Sequence, residues 1–188
     1  PGQVRYGSSG TPVPGYDARI LDDDGTPVAQ GEIGELVIRG PSAADGYWLQ
    51  RAKSLRTFRG EWTHTGDKYR ISEDGFYYYC GRTDDMFKVS GIWVSPFEVE
   101  SALITHRAVL EAAVIGKEDT DGLVKPKAFV ILKPGFAVDD ALIEDLKAHV
   151  KATAGAWTYP RWIEARVELP KTATGKIQRF KLRAEEEA

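Results

Sequence analysis

One cysteine, one methionine and three histidines among 188 residues close off several kinds of chemistry. A lone thiol, Cys80, cannot form an internal disulfide, and its scarcity fits a reducing compartment. His64, His106 and His149 are far apart, and no second histidine or cysteine lies close enough in sequence to suggest a metal set, so no metal site is expected. Charge of one sign is also scarce. Lys and Arg number 25 against 28 Asp and Glu, a net charge of −3 with no basic run, which argues against a nucleic-acid surface. No apolar run approaches membrane-spanning length, and no signal-peptide pattern opens the chain. Internal repeats and low-complexity tracts are absent. The expectation is a cytoplasmic protein that engages neither nucleic acid nor membrane. Pro1 stands where an initiator methionine would, which predicts a processed or excised polypeptide.

What is present is enough apolar residue, 42% of the chain, to bury a core in one domain or two small ones. The first part reads as β-rich. Ala18–Leu21 precedes the turn Asp22-Asp23-Asp24-Gly25, and Gly34–Gly40 is a strand bounded by glycines. Lys68–Ile71 and Phe76–Cys80 flank Ser72-Glu73-Asp74-Gly75 as a hairpin. Such short strands predict a small antiparallel barrel or sheet. After Arg82 the texture is mixed. Ser95-Pro96-Phe97-Glu98 starts a helix that runs to about His106. Val109–Ile115 and Ala128–Leu132 are apolar strands. Asp139 caps a second helix with Leu142, Leu146 and Val150 on one face. Ile163, Ala165, Val167 and Leu169 alternate with polar residues, the period of a half-exposed strand. Gln178–Glu187 is a short helix ending in a solvated acidic tail. The fold class is α+β: a β-barrel-like subdomain followed by a compact α+β domain.

Chemistry concentrates in three blocks. Leu169-Pro170-Lys171-Thr172-Ala173-Thr174-Gly175-Lys176-Ile177 puts a lysine on a small-residue loop, where the backbone can approach a ligand and an ammonium can meet phosphate or developing charge. Trp62-Thr63-His64-Thr65-Gly66-Asp67 offers a carboxylate that can accept bonds from two vicinal hydroxyls. Gly81-Arg82-Thr83-Asp84-Asp85-Met86-Phe87-Lys88-Val89-Ser90-Gly91 offers a planar guanidinium fork for directed, charge-assisted bonds. Each has a plainer reading. Lys176 could be a solvated loop lysine, Asp67 a turn residue before a strand, Arg82 a strand-end arginine paired with Asp84 or Asp85, and Ser90-Gly91 a hairpin turn.

In this order the three blocks resemble the C-terminal signature of the adenylate-forming enzymes: acyl-CoA synthetases, peptide-synthetase adenylation domains and firefly luciferase. The resemblance runs from Ser8 to Arg183 and covers only the C-terminal part of such an enzyme. It implies a boundary at Asp84, with residues 1–83 closing the large domain and 84–188 forming a small mobile one hinged at Asp84. It implies that Asp67 and Arg82 bind the nucleotide of ATP, that Lys176 is catalytic in adenylation, and that Ser90 and Gly91 line the coenzyme A tunnel. Trp93 departs from the arginine that some acetate-type members carry there. Tyr159–Glu164 and Leu169–Arg183 are similar to bacterial benzoate-CoA ligases, which implies benzoate or a related aryl acid. ATP, Mg2+ and coenzyme A are then substrates of the parent enzyme, and the Mg2+ site, phosphate loop and acid pocket lie upstream of Pro1. The partner is the missing N-terminal large domain, and this fragment alone should be inactive. Pro170-x-x-x-x-Gly175-Lys176 also resembles the acetylation site of bacterial acyl-CoA synthetases, which implies a protein lysine acetyltransferase and deacetylase acting on Lys176. Two alternatives stay open: an adenylation domain that loads a carrier protein, and a non-catalytic binding module.

Overall fold

The computed structural model describes residues 4–187, so Pro1 and the expectation it carries lie outside the described residues. The chain divides into two compact units, Pro1–Asp84 and Asp85–Ala188.

The first unit is an antiparallel sheet. It contains β1 (Asp17–Leu21), β2 (Gly34–Arg39), α1 (Arg51–Thr57), β3 (Phe58–Arg59), β4 (Trp62–Ile71) and β5 (Tyr77–Arg82). The order is β1-β2-β4, and β3 and β5 share the far edge of β4. Register shifts in the β2–β4 and β4–β5 ladders increase the local twist. The sheet curls into a half-barrel, and Tyr77 Oη on β5 donates to the Ala18 carbonyl on β1 at 3.2 Å. Ile20, Val37, Phe76 and Cys80 are buried within the unit, the expected role of a small strand cysteine. β4 begins earlier than expected and carries Asp67 inside the strand, because β2 and β5 pair with it on both sides there. Helix α1 was not foreseen. None of its residues is buried, so no apolar stripe marks it in the sequence.

The second unit contains β6 (Phe87–Val89), β7 (Ile92–Val94), α2 (Pro96–Thr105), β8 (Val109–Glu118), β9 (Val124–Leu132), α3 (Asp140–Ala154), β10 (Trp162–Ala165) and α4 (Arg179–Glu186). β8 and β9 are antiparallel, and β10 joins β9 in parallel. Ser95 Oγ accepts the Glu98 N–H at 3.2 Å and Asp139 Oδ1 accepts the Leu142 N–H at 2.7 Å, so both expected caps form. Successive side chains of a strand point to opposite faces. Ala112, Val114, Ala128 and Val130 therefore pack with α2 and α3 through Val99, Leu103, Leu146 and Val150. Ala113, Ile115 and Phe129 form a second core with Leu169 and Leu182. That double burial explains the unbroken apolar run in β8.

Two expectations need correction. The strand expected over Ile163–Leu169 stops at Ala165. The Arg166 N–H makes one more bond, to Val130 O at 2.9 Å, and β9 ends two residues later, so Val167 is left 96% exposed with no strand to pair. The acidic tail is not simply solvated. Leu182 anchors α4 on the second core, which carries the last turn over the lysines of β8 and β9. Glu186 bonds Lys117 at 2.6 Å and also meets Lys127, and Glu185 bonds Arg166 at 2.8 Å. Burial would raise the Glu186 carboxyl, but the bonds from the two lysines hold it below the usual carboxylate range. Among the described residues no helix is long and apolar enough to cross a membrane.

Candidate functional site

In the first unit, Asp67 and Arg82 are direct partners in the antiparallel register of β4 and β5. Arg82 Nη1 donates to Asp67 Oδ1 at 2.7 Å and to the Thr65 carbonyl at 3.1 Å. Neither plainer partner proposed for Arg82 takes this bond, and Asp85 is occupied elsewhere. Burial opposes the charge on Arg82, but the bond to Asp67 holds the guanidinium above its usual value.

The Thr65-Gly66-Asp67 backbone is itself fixed. Gly66 adopts a φ of 70°, which favours glycine. Glu35 on β2 accepts the Gly66 N–H at 3.2 Å through Oε1 and meets His64 Nδ1 at 3.1 Å through Oε2. Thr65 Oγ1 donates to Leu36 O at 2.7 Å and accepts the Asp67 N–H at 3.1 Å. This arrangement presents a carboxylate clamped through one oxygen beside a guanidinium, a combination suited to hydroxyl donors next to an anion.

The boundary has a defined structure on each side. The Thr83 N–H bonds Gly66 O at 2.8 Å within the first unit. Within the second, Asp85 accepts bonds from Arg179 Nη1 at 3.1 Å and Arg183 Nη1 at 3.0 Å. Asp84, between them, is exposed.

In the second unit, Ser90 and Gly91 are the two-residue turn of the β6–β7 hairpin, with Val89 paired to Ile92. Their φ values of 51° and 84° are those of a type I′ turn, which matches the twist of the strands. Both residues are exposed. Trp93 lies opposite Lys88, whose Nζ is 4.5 Å from the indole centroid.

The Lys176 loop is a second tight turn. The Gly175 N–H bonds Thr172 O at 2.9 Å, the Thr172 N–H bonds Lys176 O at 2.8 Å, and Gly175 has a φ of 82°. Ile177 packs on the second core beside Leu169, and the Gln178 N–H closes the base on Pro170 O at 2.8 Å. Lys171 is paired with Glu111 at 2.5 Å, whereas Lys176 is exposed at the tip. Val89 and Val94 of the hairpin belong to the core on one face of the three-stranded sheet, and Leu169 and Ile177 to the core on the other. The structure thus joins Asp67 to Arg82 but sets Ser90-Gly91 and Lys176 on opposite faces of the second unit.

Sequence reasoning did not single out Glu35, Asp85, Glu100 or Arg179 as site-supporting residues. Two signals were available. Glu100 interrupts the apolar face made by Val99, Ala102 and Leu103, and Arg179 and Arg183 are four apart, on one helix face.

The chain matches the AMP-binding enzyme C-terminal domain over residues 98–176 and the AMP-binding enzyme family over residues 1–48. It is similar to the benzoate–CoA ligase of Thauera aromatica, 61% identical over 97% of this chain and 35% of the relative. It is similar also to the 4-hydroxybenzoate–CoA/benzoate–CoA ligase of Rhodopseudomonas palustris, 60% identical over 97% of this chain and 34% of the relative. The chain therefore spans about a third of the length of these curated relatives. The crystal structure of the anthranilate CoA ligase AuaEII in complex with anthranoyl-AMP superposes with a TM-score of 0.90 at 55% identity, over 99% of this chain and 36% of that one. A benzoate CoA ligase from Burkholderia xenovorans LB400 superposes with a TM-score of 0.83 at 55% identity, over 96% of this chain and 36% of that one.

Proposed function

Because the chain belongs to the AMP-binding enzyme family, we propose that it is the C-terminal part of an ATP-dependent acid–CoA ligase acting on benzoate or a related aryl acid. The aryl preference rests on the likeness to ligases of benzoate and anthranilate. In the first half-reaction a carboxylate oxygen attacks the α-phosphorus of ATP, the bond to pyrophosphate breaks, and an acyl-adenylate forms. In the second, the coenzyme A sulfur attacks the acyl carbon and AMP leaves.

Asp67 and Arg82 hold the ribose and phosphate of the nucleotide. Lys176 stabilises charge on the carboxylate and α-phosphate in the first transition state, as an oriented ammonium that need not lose its proton. The second unit then turns about Asp84 and replaces the Lys176 loop with the Ser90-Gly91 turn beside the pantetheine arm. The observation that carries this reading is the placement of that loop and that turn on opposite faces of one sheet, in a unit that begins directly after the exposed Asp84, whose two chain neighbours are bonded within separate units. Rotation would exchange one face for the other. The Mg2+ that accompanies ATP is assigned no ligand in this chain. Among the described residues no group of three or more His, Cys, Asp or Glu could hold a metal.

The test uses the full-length ligase and assays the half-reactions separately. Lys176→Ala should lower acyl-adenylate formation on the order of a hundredfold or more, while attack of coenzyme A on preformed adenylate is spared. Equal loss of both steps would count against the assignment.

A further inference from the structure

Beneath the Lys176 loop lies a charged cluster that this mechanism does not use. Arg179 follows Lys176 by three residues and opens α4. Its guanidinium grips Glu100 of α2 with two bonds, Nε to Oε1 at 3.0 Å and Nη2 to Oε2 at 2.6 Å. Its remaining nitrogen, Nη1, bonds Asp85. Glu100 Oε1 also accepts the Val114 N–H of β8 at 2.8 Å. The side chains of Glu100, Arg179 and Asp85 are only 7%, 17% and 18% exposed. Burial pushes the Glu100 carboxyl above the usual carboxylate range against the pull of Arg179. Apolar side chains of similar volume would often hold a helix on a sheet as well as a buried ion pair does, so its use here calls for a geometric reason. A bidentate guanidinium fixes orientation as well as distance.

The geometric consequence is direct. The cluster ties together the first residue of the second unit, helix α2, strand β8 and the residue that ends the Lys176 loop. We propose that Arg179 is a positioning residue for Lys176: clasped by Glu100 and Asp85, it fixes the loop relative to the point where the second unit begins. Movement about Asp84 is then transmitted to the lysine as to a rigid arm. An error of about 1 Å in such a group can cost on the order of a hundredfold in rate. The proposal rests on the catalytic reading of Lys176.

The test again uses full-length ligase. Arg179→Lys keeps the charge and removes the fork. It should lower the kcat of acyl-adenylate formation by about ten- to a hundredfold, with the KM values for ATP and acid within about twofold and thioester formation from preformed adenylate within about threefold. Hydrogen exchange should accelerate at the amides of 172–176 and stay slow in β9. Asp85→Asn, a change that keeps the side chain's shape and removes only its charge, should shift the same half-reaction in the same direction. Equal loss of both half-reactions, or unchanged adenylation in both variants, would overturn the positioning role. Lys176→Ala in parallel separates the two claims. If it cripples adenylation and Arg179→Lys does not, only the positioning role falls. If it leaves adenylation intact, the catalytic reading falls and the positioning role with it.

Discussion

The Arg82 guanidinium covers Gly66 so closely that a Cβ at Gly66 would stand 2.8 Å from Nη2. Gly66 is also held at a φ of 70°. Gly66→Ala should therefore act twice. The left-handed backbone costs about 1–2 kcal/mol, and the Arg82 guanidinium must shift where it bonds Asp67. The expected result in the full-length ligase is a lower denaturation midpoint and a KM for ATP raised on the order of tenfold. Unchanged ATP binding by titration calorimetry would dissociate this pair from the nucleotide.

Asp84 has a bonded neighbour on each side, Thr83 to Gly66 and Asp85 to Arg179 and Arg183. On the proposed hinge reading, rotation between the units is absorbed close to that residue. Asp84→Pro fixes φ and removes a donor there. One half-reaction should persist near its normal single-turnover rate, and the other should fall at least about tenfold, as expected when a lid motion is blocked. Normal rates for both steps would remove Asp84 from the role of hinge.

The exposed Lys176 at the tip of its turn is open to modification. Acetylation removes its charge and two of its three donors. A protein acetyltransferase acting on the full-length ligase should switch off adenylation and spare thioester formation, and a sirtuin-type deacetylase should restore the first step. Peptide mass spectrometry paired with half-reaction assays checks this. Stoichiometric acetylation with undiminished adenylation would refute both the switch and the catalytic role of Lys176.

The end of α4 gives a prediction of pH-dependent stability. Burial would raise the carboxyls of Glu164 and Glu186, but bonds from Lys127 with Arg166, and from Lys117 with Lys127, hold both below the usual carboxylate range. A carboxyl with a lowered folded pKa contributes stability above its unfolded pKa, and that contribution is lost as pH falls through the folded one. Glu186→Gln should cost on the order of 1–3 kcal/mol at pH 7. The gap between variant and wild-type denaturation midpoints should close as pH falls below about 4. A gap that stays constant into acid would mean that packing of the side chain, not its charge, is the source.

Local signals carried much of this protein in the sequence. Capping residues marked the starts of α2 and α3, and turn chemistry marked the hairpin between β4 and β5, because those rules act over a few residues. The run Ala112–Ile115 announced a buried strand. Small residues around Lys176 announced an open turn, and the three motif blocks carried the family resemblance. Tertiary structure decided what depends on partners distant in the chain. β10 ends at Ala165 because β9 ends soon after the residues it pairs with. Glu186 finds its lysines because Leu182 seats α4 on the second core. Arg82 chooses Asp67 because the β4–β5 register sets the two opposite each other, although Asp84 and Asp85 are nearer in sequence. Glu100 and Arg179 are 79 residues apart, and no local propensity links them. Only the closing of helices over a common sheet makes that buried pair.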